Sequence, residues 1–377
     1  MFLSETHQPQ ILPARCYSDP AFLSEEHTAI FAGSWQFACT THDVATVGDF
    51  QAFDLGEYPL IVWHSPDGYR AFLNVCTHRF SKLTSANCGA MQRLTCQYHG
   101  WQYGSDGSTQ RIPDAQSFRP LANSQLGLKR LPLIECGKVL MVQLPSSDPD
   151  AQSNEKLPSE VRKPLEQYFA AERIQTHKEI WEIAANWKVI IENAIESYHV
   201  GCVHADSFSV MPTAESCEHV LQDELTTFRT TFPSQAAAPL RFIERTVHRL
   251  LGIAYEELYQ QFHVYPNMLL SSSKFVSVLM CVRPASPNSS RFELRIFGDP
   301  GNRKNPLAKL AFSLACSWAK KEVRKVLLED FAILPSIQQG LSSPALPAGG
   351  LISTREERIA HFQRYIHRET EQRHQPD

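Results

Sequence analysis

Two short motifs, Cys76-Thr77-His78 and Cys96-Gln97-Tyr98-His99, set two thiols and two imidazoles on either side of seventeen intervening residues. Such a set can hold metal in two ways. Around a single zinc ion it makes a closed structural site, yet zinc fingers pair Cys with Cys and His with His in their hooks. Here each hook mixes the two. A [2Fe-2S] cluster with thiolates on one iron and neutral imidazoles on the other uses that mixture, and the imidazoles raise its potential to roughly −150 to +300 mV. Ligand order therefore favours the cluster. So does the sequence after the second hook, Gly100-Trp101 and a Gly104-Ser105-Asp106-Gly107 turn that reads as a hairpin between strands. Cys88 lies between the hooks, but spacing favours Cys96, whose partner His99 stands three residues on.

A second group of polar residues sits on an otherwise apolar helix: Asn186-Trp187-Lys188, Glu192-Asn193, Glu196-Ser197-Tyr198-His199 and then His204. Burying such groups is costly unless they bind something. On one continuous helix His199 and His204 would diverge by about 140°. Gly201 can break the helix and let both imidazoles converge. Two histidines and one carboxylate make a ferrous site that keeps positions open for oxygen. Asp330, in Leu328-Glu329-Asp330-Phe331 near the end of a long helix, is the best third ligand, and Glu329, about 100° away around the helix, is the alternative. Cys202 reads as a small buried residue rather than a ligand. Taken singly, these are an interior histidine or a solvated helix charge. An electron-transfer centre in the same chain needs an acceptor, which argues for the set.

The elements that must position these groups fall into two regions. From about Ser34 to Gln143 the chain runs in short aromatic, β-rich stretches, Trp35–Phe37, Tyr58–Trp63, Tyr69–Val75 and Val139–Gln143, separated by Gly and Pro turns. Ser146 to Pro158, rich in Ser, Asp and Pro, is the natural boundary. Beyond it the pattern predicts a strand near His177–Ile183, a helix from Asn186 to about Tyr198, and strands around Glu224–Phe232, Gln261–Ser271, Lys274–Arg283 and Ser290–Phe297. A long helix from about Leu307 to Leu334, closed by Pro335, follows. An antiparallel sheet gripping a long helix leaves a cavity between them. There is no internal repeat.

Composition bounds the rest. A chain of 377 residues argues for about two domains, and 43% apolar with 20% charged residues is a globular balance. A net charge of −4 with dispersed Lys and Arg carries no footprint for nucleic acid. No stretch approaches the roughly 18 apolar residues of a membrane span, and Met1 to Gln10 lacks the features of a secretory leader, so the expected location is cytoplasmic. The ten cysteines are scattered and read as reduced.

Over nearly its whole length the sequence resembles the Rieske-type non-haem iron oxygenases, specifically their catalytic alpha subunit. The resemblance rests on the two hooks, the His199 and His204 pair, Asp330, and the trailing Gln338-Gln339-Gly340-Leu341, Gly349-Gly350-Leu351-Ile352-Ser353 and Glu356 to Phe362. It implies an α+β fold. A small all-β Rieske domain (34–148) would precede a helix-grip, START-like catalytic domain (159–377) with an antiparallel sheet and a long C-terminal helix, and segment 1–33 would pack on that domain. It implies one [2Fe-2S] Rieske cluster on Cys76, His78, Cys96 and His99 and one mononuclear Fe(II) on His199, His204 and Asp330. Dioxygen would be the co-substrate, and NAD(P)H would serve indirectly through a separate flavin/iron-sulfur reductase. The expected assembly is a homotrimer in which electrons pass between neighbouring chains by way of Glu196, a position that bridges the two centres in this family. Asn193 and Tyr198 match polar positions near the iron. Many ring-hydroxylating members carry aspartate where this chain has Glu196. Glutamate resembles the branch that oxidises choline, glycine betaine and carnitine, and implies monooxygenation of a quaternary ammonium compound. Phe208, Phe228, Phe262, Tyr265 and Phe275 are candidates for a cage around its cation. The alternatives are a ring-hydroxylating oxygenase of an aromatic carboxylate, with Arg229 or Arg283 pairing the acid, and an electron carrier without a working iron site.

Overall fold

The computed structural model describes residues 2–121, 126–145, 156–205, 207, 212–231, 238–303 and 306–371. Phe208 and most of the boundary segment at 146–158 lie outside them. Tertiary contacts divide the chain into Phe31–Leu157 and a second unit formed by Met1–Ile30 together with Pro158–Asp377.

The first unit is all β. Its main sheet orders Arg130–Leu131, Gly68–Leu73, Tyr58–Ser65, Asp49–Leu55 and Cys88–Ala90, all antiparallel. Within Tyr58–Ser65, Leu60-Ile61-Val62-Trp63 is an unbroken apolar run because both faces of the strand are covered. Successive side chains point to opposite faces, so Ile61 and Trp63 enter one core while Leu60 and Val62 enter another. The first of these cores also contains Cys76, Cys96, Trp101 and Tyr103. The Gly104–Gly107 turn joins Gln102–Tyr103 to Thr109–Arg111 as expected. Gly107 takes φ +87° there, where an added Cβ would meet the Phe72 ring at 2.8 Å.

The second unit is built on a seven-stranded antiparallel sheet. Its order is Ile174–Ile183, Ser289–Gly298, Val276–Ser286, Met268–Ser272, Leu258–Val264, Leu225–Thr231 and Cys217–Leu221. The long helix Pro306–Leu341 lays Ala308, Phe312, Cys316, Ala319, Leu327 and Leu334 inward at helical spacing. Three expectations need correcting. Gln261–Ser271 is two strands of a hairpin around Tyr265-Pro266-Asn267, since both halves are apolar and the turn is too short to interrupt the pattern. Pro335 does not close the long helix, which continues to Leu341. Proline removes one helical hydrogen bond, but Gln338 pins the following turn: its side chain accepts from Asn186 N at 2.7 Å and donates to the Tyr17 carbonyl at 3.0 Å and to Asn288 Oδ1 at 2.9 Å. The helix that begins at Trp187, capped by Asn186, ends at Ala194 rather than near Tyr198.

Candidate metal centres

That early end creates the first centre. Residues 195–199 leave the helix, and a separate turn, Val200–Val203, starts with His199 at its N-cap and ends with His204 at its C-cap. The break thus precedes Gly201, which lies inside the short helix. The two histidines bracket one turn, and their rings converge: Nε2 of His199 lies 3.2 Å from Nε2 of His204. Asp330 Oδ1, from the long helix, stands 3.4 Å from the first and 3.1 Å from the second. These three form a group able to hold a metal ion, their ligand atoms all within 4.8 Å of one another.

The remaining nitrogens are each held by a carboxylate. His199 Nδ1 donates to Glu196 Oε1, and His204 Nδ1 donates to Glu329 Oε2 at 2.8 Å. A carboxylate accepts, so both Nδ1 atoms carry the proton, and in the neutral rings both Nε2 atoms present bare lone pairs. Two lone pairs and a carboxylate oxygen therefore face one point, a repulsive arrangement that a cation relieves, and the donor set fits ferrous iron. The His204 imidazole registers the same field. Burial pulls its pKa down, but Asp330 and Glu329 outweigh burial and hold it above its ordinary value. Asn193 Nδ2 donates to Asp330 Oδ1 at 3.0 Å, and Ser207 Oγ donates to Glu329 Oε1 at 2.6 Å.

Glu329 is thus the partner of a ligand rather than the alternative ligand. Its signal in the sequence was the step of about 100° from Asp330, which carries it to the far nitrogen of His204. Glu196 uses Oε2 to accept the backbone N–H of Tyr198 and, at 3.3 Å, of His199. Tyr198 contributes that backbone group, while its side chain is 61% exposed. Cys202 is exposed, not buried as expected, because it lies on the outer side of the short turn.

Other polar groups on the helix Trp187–Ala194 bind elsewhere in the unit. Lys188 Nζ meets Glu26 at 2.6 Å with both side chains fully buried, and Trp187 Nε1 donates to Glu26 at 2.9 Å. Glu192 accepts from the Tyr17 hydroxyl at 2.6 Å and from Gln363 Nε2 at 3.0 Å. Burial pushes the Glu192 carboxyl up to about 7. Arg358, fully buried, donates to the carbonyl of Ile195 at 3.1 Å and to Gln261 Oε1 at 2.7 Å, tying down the point where the chain leaves the helix.

The second centre lies in the first unit. The two hooks fold alike: Phe80 N donates to the Cys76 carbonyl and Gly100 N to the Cys96 carbonyl, each at 3.0 Å. Both turns close on a left-handed residue, Phe80 at φ 59° and Gly100 at φ 71°. Cys76 and Cys96 are buried side by side. His78 and His99 bring their Nδ1 atoms within 3.1 Å near the surface. Tyr103 Oη lies 3.0 Å from Cys76 Sγ. Burial holds the Cys76 thiol above its ordinary pKa. Two thiols below and two imidazoles above fit a cluster with unlike irons, and none of the ten cysteines is in a disulfide.

Between the sheet and the long helix is a cavity of about 600 Å³. Of the proposed cage aromatics, Phe275 lines it. Phe228 packs on His219 and Tyr259, Phe262 on Tyr168, and Tyr265 on Phe362 and Tyr365. Arg283 pairs with Glu293 at 2.8 Å, and Arg229 lies 4.0 Å from Glu218 at the surface. Neither arginine lines the cavity.

Comparison with known proteins agrees with both centres. Residues 165–372 match the family model of the ring hydroxylating alpha subunit (catalytic domain), and residues 34–132 match the Rieske [2Fe-2S] domain. The chloroplastic choline monooxygenase of Beta vulgaris is 26% identical over 371 residues, 94% of this chain and 76% of that protein. The carnitine monooxygenase oxygenase subunit of Escherichia coli K12 is 26% identical over 376 residues, 96% of this chain and 94% of that one. The crystal structure of the quaternary ammonium Rieske monooxygenase CntA in complex with L-carnitine shares the fold, with a TM-score of 0.73 at 21% identity over 95% of each chain.

A β domain with paired Cys-His hooks and a sheet-and-helix domain with a His-His-Asp site define a Rieske non-haem iron oxygenase. The chain belongs to the ring hydroxylating alpha subunit family and is its catalytic, terminal oxygenase component. No helix among the described residues is long and apolar enough to cross a membrane.

Proposed function

We propose that this oxygenase inserts one oxygen atom into a quaternary ammonium compound, working as a homotrimer fed by a separate NAD(P)H-dependent reductase. Cys76, His78, Cys96 and His99 would hold the cluster, and His199, His204 and Asp330 the iron. When bound, the cluster supplies single electrons and the ferrous iron supplies activation of dioxygen.

The chain's own residues prepare for this. Glu196 and Glu329 fix the tautomers of His199 and His204, leaving both Nε2 atoms free to ligate. Asn193 holds the Asp330 carboxylate in orientation. The oxygens of Glu196 retain lone-pair capacity for a further hydrogen bond, so it is suited to meet a cluster histidine of a neighbouring chain. The carrying observation is Glu196 itself, bonded to the iron-site histidine at the position where the quaternary ammonium branch has glutamate. Relatives that act on choline and carnitine cover nearly the whole chain. An aromatic acid would want a basic partner, and Arg229 and Arg283 are placed away from the cavity.

The test is a single turnover of pre-reduced, iron-loaded protein with O2, offering choline, glycine betaine and carnitine beside benzoate, with products read by mass spectrometry. Oxidation of a trimethylammonium compound supports the reading. Oxidation of benzoate alone would overturn it.

A further inference from the structure

The cavity wall has a charge bias that the iron ligands do not explain. The long helix presents Leu314, Ala315, Trp318, Ala319, Glu322 and Val323 to it, successive turns of one face. The strip is apolar and aromatic except for Glu322. Glu322 is half-buried and makes no ion pair among the described residues. Across the cavity stand a second acid, Glu244, and the rings of Tyr259 and Phe275. No lysine or arginine lines it among the described residues. A carboxylate beside aromatic faces favours a cation: Glu322 supplies charge, and the ring faces of Tyr259, Phe275 and Trp318, the last 48% exposed, add attraction.

A third polar group points the same way. His248, 2% exposed, lines the cavity and donates from Nδ1 to the Ala254 carbonyl at 3.1 Å. In the neutral ring Nε2 is then an acceptor, and it has no partner. Glu322 lies eight residues before Asp330 on the same helix, about 12 Å along its axis. One helix therefore carries both a cavity-lining acid and the iron ligand.

We propose that Glu322 and Trp318 form the cation-recognising end of the substrate site, with Glu244 on the facing wall, so that this cavity selects a positively charged substrate over a neutral one of equal shape. The assignment rests on the quaternary ammonium reading above and adds the residues that would enforce it. Glu196 and the iron ligands play no part in this selection, which makes the two readings separable.

The test is isothermal titration of the metal-loaded, resting protein with choline and with 3,3-dimethylbutan-1-ol, its uncharged isostere. Wild type is expected to bind choline at least tenfold more tightly. Glu322→Gln should lose about tenfold in choline affinity and Trp318→Leu several-fold, both leaving the isostere unchanged, with thermal midpoints confirming that the variants fold. If wild type prefers choline and Glu322→Gln binds it within twofold of wild type, the cavity assignment falls while the substrate reading stands. If wild type does not distinguish the two compounds, or binds neither, the cavity assignment falls, and the turnover test with all three trimethylammonium compounds decides the substrate reading.

Discussion

The Glu329 carboxylate lies 2.8 Å from Nδ1 of His204, immediately before the residue whose own carboxylate closes the metal group. One helix thus supplies a ligand through Asp330 and orients another through Glu329. Groups that hold the outer nitrogen of a metal-binding histidine typically matter by 10–100-fold in metal affinity. Glu329→Ala should weaken Fe(II) binding by roughly that factor, measured by competition with a chelator. Cluster absorbance should be unchanged, because the hooks fold in the other unit. Fe(II) affinity equal to wild type would show that His204 is positioned without Glu329.

Asp330→Ala removes the one carboxylate of the facial set. Ligand count gives about three irons per chain for wild type and about two for this variant. Metal analysis together with the visible spectrum of the cluster checks it. A variant that retains three irons would transfer the ligand role to another group.

Much of this site was legible because it is local. The hooks and the His199 and His204 pair each span a few residues, and Asp330 belongs to a long periodic helix. The partners are different: Glu26 meets Lys188 and Tyr17 meets Glu192 across more than 160 residues of chain. Read alone, Lys188 and Glu192 looked like metal-site polarity, yet they bind the N-terminal segment. Strand ends were blurred where both faces are apolar, as at Gln261–Ser271, and Pro335 carried too much weight because the contacts of Gln338 are invisible in a helical pattern. The cavity's acid bias depends on which face of the long helix lines the cavity, and Leu314 on that same strip is exposed, which masks it in the periodicity.

Glu192 makes stability depend on pH. Burial raises its carboxyl from 4.5 to about 7, against an opposing pull from Lys188, while Tyr17 and Gln363 donate to it. Glu26, on the other side of Lys188, is raised too. The folded chain keeps a proton that the unfolded chain releases, so this contribution is complete below about 4.5 and is lost as pH rises through about 7. Glu192→Gln has no such proton. Between pH 5 and 7.5 its stability should rise relative to wild type by about 2–3 kcal/mol, measured by urea unfolding at each pH. A constant difference across that range would place the titration elsewhere.

The most direct test of the account is Glu196→Gln in a rapid-mixing single turnover, following re-oxidation of the pre-reduced cluster by O2 with substrate present. The amide can still accept from His199, so both metal centres should load as in wild type. Without the carboxylate's charge and its capacity to accept a further hydrogen bond, cluster re-oxidation should slow by at least about tenfold. Full metal content with an unchanged rate would contradict the role given to Glu196 in joining the two centres.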